Sequence, residues 1–134
     1  MPITPFLKRL LLLDAASCLG LAALLIPGAH LLSGPFGLSQ DLLTAAGLLL
    51  APIGLFMGWV ATRRATAPVY LWLIILGNFV WVAKSLIVAF VVAGITALGI
   101  AFVLAQAAVV LVLALLERIG LRRALTGAAA ASMM

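Results

Sequence analysis

Asn78-Phe79-Val80-Trp81-Val82-Ala83-Lys84-Ser85 lies at the centre of an apolar run from Pro68 to Val92. A bilayer-crossing helix needs about 20 predominantly apolar residues, and this run is long enough. It also carries the only lysine placed inside a hydrophobic segment. Asn78, Trp81 and Ser85 recur at helical spacing, with Lys84 one step aside, so the four share one broad face. Other segments must cover that face. The chain therefore reads as all-α, a transmembrane four-helix bundle.

Composition supports a lipid solvent. Of 134 residues, 67% are hydrophobic and 8% charged, whereas soluble domains carry about 25% charged residues. The mean hydropathy is +1.40. This length allows one domain. The net charge of +5 could suggest nucleic acid, but the basic residues sit in short clusters beside apolar runs. There they set orientation and meet anionic head groups, so nucleic acid is excluded as a partner. The single cysteine rules out an internal disulfide.

Spans are expected at about 8–26, 42–60, 69–93 and 96–117, within a membrane domain of residues 1–123. Lys8-Arg9 before the first run, and Ala15-Ala16-Ser17-Cys18 within it, resemble a signal segment with a lipoprotein box. Asp14 interrupts the apolar stretch, and further spans follow, so a first span is the simpler reading. Pro27 to Asp41 is rich in Gly, Pro and Ser and reads as a loop, with Ser39, Gln40 and Asp41 offering caps. Pro52 should kink the second span.

Gly47, Gly54 and Gly58 share a face of that second span, and Gly54 to Gly58 matches the GxxxG pattern. Ala97, Ala101 and Ala105 make a second small-residue stripe on the fourth. Both stripes are expected to pack helices, inside the bundle or across a dimer. Residues 124–134 are expected to form a flexible cytoplasmic tail.

Orientation follows from the cations. Lys8 and Arg9, Arg63 and Arg64, and Arg118, Arg122 and Arg123 flank alternate span ends, and the other two loops carry none. Both termini are expected in the cytoplasm, in a multi-pass protein of the bacterial inner membrane.

Ionisable groups inside a membrane are costly, about 2.5–3.5 kcal/mol on insertion scales, and are the default functional suspects. Counted from Arg9, Asp14 lies roughly 8 Å from the cytoplasmic side. Lys84, sixteen residues past Pro68, lies roughly 24 Å from it. That separation argues against a direct pair. Lys84 is expected to snorkel outward toward Asp41 and His30. Asp14 is expected to face inward with Ser17 and Cys18, and its candidate cations are Arg118, Arg63 and Lys8. Asn78 and Gln106 both fall roughly 15 Å deep. They are expected to exchange amide hydrogen bonds, as interhelical glue or as a polar site with Trp81 as its wall. Gln106 and Glu117, eleven residues apart, share a face that would continue a polar path.

No catalytic set stands out. His30 is the only histidine, so neither a zinc-type cluster nor a Ser-His-Asp arrangement can be assembled. The glycines lie in apolar spans rather than in a phosphate-binding loop. His30 and Met57 fall on different elements and make no haem pair. Neither cofactor nor metal is expected. A lipid-directed enzyme would have only His30 and Asp41 to use, and the chain reads as a non-enzyme.

Gly77-Asn78-Phe79-Val80-Trp81-Val82-Ala83-Lys84-Ser85, Gln106-Ala107 and Leu116-Glu117-Arg118-Ile119-Gly120-Leu121-Arg122-Arg123 together resemble small four-helix integral membrane proteins of bacteria. That resemblance carries no activity with it. In size and span number the chain is also similar to small multidrug resistance transporters, which place an acidic residue in the first span. Asp14 occupies the comparable place, as aspartate rather than glutamate, without the rest of that signature. DoxX-like proteins share the span count alone. Two functions are therefore expected. One is an accessory or assembly subunit packing through small-residue faces. The other is a small proton-coupled transporter or small-molecule-binding bundle acting as a dimer. The partners are the lipid bilayer and a homodimer or larger membrane complex.

Overall fold

The computed structural model describes residues 1–133. Four helices follow in order: α1 (Pro5–Phe36), α2 (Gln40–Thr62), α3 (Pro68–Val91) and α4 (Ala97–Ser132). All four are long and apolar enough to cross a membrane. The architecture is all-helical, as the hydropathy requires.

Local chemistry starts each helix. Thr4, Ser39 and Thr96 each accept a bond from a backbone N–H three residues on, at 3.2, 3.1 and 3.0 Å. These are the donors that a helix start leaves unpaired. Pro5 and Pro68 occupy first-turn positions, where the missing N–H costs nothing.

Two elements run longer than expected. The stretch from Pro27, expected to be a loop as far as Asp41, stays helical to Phe36 with Pro27 and Pro35 inside α1. Both prolines lie on the exposed face, so neither ring disturbs the core. In apolar surroundings a backbone gains more from staying helical than from exposing its donors. Gly37 ends α1 in the left-handed region at φ 67°, and its N–H returns to the Ser33 carbonyl at 2.9 Å. Likewise, the stretch from residue 124, expected to be a flexible tail, continues α4 to Ser132.

Backbones pack closely in three pairs: α1 with α2, α3 with α4, and α1 with α4. The glycine face of α2 belongs to the first of these. A Cβ on Gly47 would meet Ile26 Cγ1 at 2.7 Å, and one on Gly54 would meet Leu19 Cγ at 2.8 Å and Cys18 Cβ at 3.1 Å. Gly58 faces Ala15 with room for a methyl, at 3.9 Å. Gly47 and Gly54 thus lie where α2 approaches α1 closely. Gly54→Leu should lower stability by about 2–3 kcal/mol through overpacking, whereas Gly58→Ala should stay within about 0.5 kcal/mol. Thermal unfolding in mild detergent reads both. Equal melting of the two variants would contradict this packing. Ala97, Ala101 and Ala105 are all exposed on α4.

The two ends of the bundle differ. At one, Ile3 N–H donates to the Arg64 carbonyl at 3.0 Å, and Thr66 N–H donates to the Met1 carbonyl at 2.9 Å. Arg123 lies over the Phe6 ring at 5.7 Å. The cationic flanks of α1, α2 and α4 therefore gather at this basic end. At the distal end, the two hairpin turns interlock. Thr96 N–H donates to the Phe36 carbonyl at 3.1 Å, and Thr96 Oγ1 donates to the Pro35 carbonyl at 2.6 Å.

Candidate functional site

Asn78 sits mid-way along α3 and is buried, together with Asp14 of α1 and Glu117 of α4. Its Nδ2 donates to Asp14 Oδ2 at 2.7 Å and to Glu117 Oε1 at 2.8 Å. One amide thus uses both hydrogens to bridge two carboxyl groups on two other helices. The Cys18 thiol, one turn past Asp14, lies 3.8 Å from Asp14 Oδ1. Asp14 and Glu117 are both fully buried, and Glu117 Oε2 has no hydrogen-bond partner. The shared Asn78 amide holds the two carboxyl groups on either side of one nitrogen.

A second polar group lies one to two turns further along α3. Trp81 Nε1 donates to Gln106 Oε1 at 2.8 Å. Gln106 Nε2 donates to Ser85 Oγ and to the Val103 carbonyl, each at 2.8 Å. Ser85 Oγ donates to the Trp81 carbonyl at 2.8 Å. This set ties α3 to α4 and leaves its side chains satisfied among themselves.

Two cavities open between α2 and α3, floored by α1 and α4. The one nearer the basic end, about 310 Å³, is lined by Cys18, Met57, Asn78 and Trp81 among apolar side chains. The distal one, about 360 Å³, has Trp81, Lys84, Ser85 and Gln106 on its α3–α4 side. Trp81 borders both.

Several expected contacts change. The direct Asn78–Gln106 pair does not form: Asn78 turns to the carboxyl pair and Gln106 to Trp81 and Ser85. Asp14 takes an amide and a thiol rather than Arg118, Arg63 or Lys8. Its depth had been counted from Arg9, but α1 begins at Pro5. The extra turn puts Asp14 roughly 14 Å along its helix, level with Asn78 at roughly 15 Å along α3. Ser17 is exposed and bonds the Leu13 carbonyl at 2.9 Å, so it stays outside the cluster. Lys84 is exposed at the cleft, and His30 and Asp41 are exposed as well.

Glu117, expected only to continue a polar path from Gln106, is the third member of the cluster. It falls at the end of the expected fourth span, beside Arg118. Its spacing of eleven from Gln106 was the available signal, because it puts both side chains on one face of α4.

Among the described residues, no group of three or more His, Cys, Asp or Glu side chains is arranged to hold a metal ion. The three-helix carboxyl–amide–carboxyl bridge, set beside an apolar cavity, is the chemical centre of this chain. No family model, curated protein or solved structure matches it.

Proposed function

We propose that the chain is a small proton-coupled membrane bundle of transporter type. Asp14 and Glu117 take up and release a proton, and a small molecule occupies the cleft between α2 and α3. The observation that carries this reading is Glu117 Oε2, buried and unpartnered beside a second buried carboxyl. Two buried carboxylates repel each other, and among the described residues neither is paired with a cation. One proton between them removes the repulsion and gives Oε2 a partner. Asn78 holds both groups in place whichever of them carries the proton.

The basic clusters at one end support a multi-pass protein of the bacterial inner membrane with both termini cytoplasmic. The buried carboxyl pair then lies on the cytoplasmic side of the Trp81–Gln106 network and Lys84 on its outer side. A second reading, an accessory subunit or homodimer, is favoured by Ala97, Ala101 and Ala105. They form an exposed small-residue stripe on α4, the kind of face that lets another helix approach closely.

Infrared spectroscopy of the protein in lipid vesicles tests the proton site directly. Only three side-chain carboxyls exist, so assignment is simple. The expected result is a protonated-carboxyl carbonyl band that appears and disappears reversibly with buffer pH. It should vanish in Glu117→Gln and persist in Asp41→Asn. A band that ignores pH would make the pair structural glue and end the coupling proposal.

A further inference from the structure

The distal cleft holds a charge that no acidic side chain among the described residues answers. Lys84 lines it, and no acidic side chain lines it with Lys84. The other polar groups there are already spent: Trp81 Nε1 and Ser85 Oγ donate within the network, and both Gln106 Nε2 bonds stay inside α3 and α4. Among the described residues, Lys84 is the one free polar group lining the space. It sits seven residues before the end of α3, roughly 10 Å from that end. An unanswered ammonium at such a depth is costly. The remaining walls, including Leu21, Leu42, Leu49 and Ile87, are apolar.

We infer that the distal cleft binds a single-chain anionic amphiphile, a fatty-acid carboxylate seated on Lys84 with its chain along the α2–α3 wall. One cation and no other free donor matches one negative charge. A phosphate monoester would need further donors. The volume of about 360 Å³ lies near the small end of ligand pockets, about 300–1,000 Å³. It suits one acyl chain rather than the two of a phospholipid. The cleft lies between helices that do not pack closely, so the chain enters sideways from the bilayer.

This inference names the class of molecule for the cleft of the proposed function. Its test reads binding alone, without any proton step, so failure here and failure of the infrared test are separate results.

Trp81 lines the cleft and reports its occupancy. Trp59→Phe and Trp72→Phe, both at exposed positions, leave Trp81 as the sole tryptophan of the three. In vesicles of phosphatidylcholine, a fatty acid brominated along its chain should quench Trp81 saturably. Lys84→Met should weaken that binding about tenfold, equivalent to about 1.4 kcal/mol, and Lys84→Arg should restore it. The brominated alcohol of the same length should also bind about tenfold more weakly. Equal quenching by acid and alcohol would overturn the assignment, as would binding indifferent to Lys84→Met. Quenching by a brominated phospholipid that free fatty acid fails to relieve would equally overturn it.

Discussion

Asn78→Leu is expected to destabilise the bundle by about 3–5 kcal/mol, the range for leaving a buried charge without its partner. An ordinary interhelical hydrogen bond in a membrane is worth only about 0.6 kcal/mol, so the size of the loss is diagnostic. Asn78 bridges Asp14 and Glu117 at 2.7 and 2.8 Å. Removing it strands two carboxyl groups, one of which already has an unpartnered oxygen. Adding Glu117→Leu should recover most of the loss, because an apolar replacement removes the desolvation cost with the charge. Cys18 is the only cysteine and is buried. A thiol-reactive fluorogenic dye therefore reports unfolding in detergent without added labels. Melting of Asn78→Leu at the parent temperature would refute the bridge. A loss near 0.6 kcal/mol would mean that the carboxyls are neutral without their amide.

The second large effect is expected at the distal end. Gly99→Ala should cost about 2–4 kcal/mol, combining overpacking with a lost hydrogen bond. A Cβ there would collide with the Phe36 carbonyl oxygen. That oxygen is already held by Thr96 N–H at 3.1 Å, so it cannot retreat without breaking the link between the two hairpins. Gly37→Ala should be at least as costly. It adds a left-handed backbone at φ 67° to a collision with the Gly94 carbonyl. Two glycines serve as controls. Gly94 has φ 83° but open space around it, and its alanine variant should lose only about 1–2 kcal/mol. Gly77 has neither constraint and should tolerate alanine. The same thiol-dye melt ranks all four, and a Gly99→Ala protein as stable as Gly77→Ala would refute the interlock.

The four spans were legible because hydropathy over some 20 residues is a strong signal that no local detail reverses. The gathering of Asp14, Asn78 and Glu117 was not. Each was visible as a polar residue in an apolar run, but their meeting depends on where helices begin. Counting depth from Arg9 instead of from Pro5, where α1 begins, shifts Asp14 by about a turn, which separates it from Asn78. Glu117 was legible as a polar continuation of the Gln106 face, but its place beside Arg118 at the end of the expected span gave no sign that it meets Asn78. Pro27 and Pro35 misled for a related reason. Proline marks a turn where water can satisfy the freed backbone, and that rule weakens where the surroundings are apolar. Trp81 and Ser85 share a face of α3, as their spacing implies, and meet Gln106 of α4 there, whereas Asn78 turns to the carboxyl pair.

The hydrogen bonds at the two ends have a mechanical meaning. The hairpins α1–α2 and α3–α4 are joined through Met1 and Ile3 to Arg64 and Thr66 at the basic end, and through Pro35 and Phe36 to Thr96 at the other. A frame riveted at both ends cannot open like scissors. It can only bow, and its slack lies in the middle, where α2 and α3 stand apart and Pro52 interrupts the backbone bonding of α2. A molecule entering or leaving would therefore pass through a bulge in the flank of the bundle while both rims keep their width.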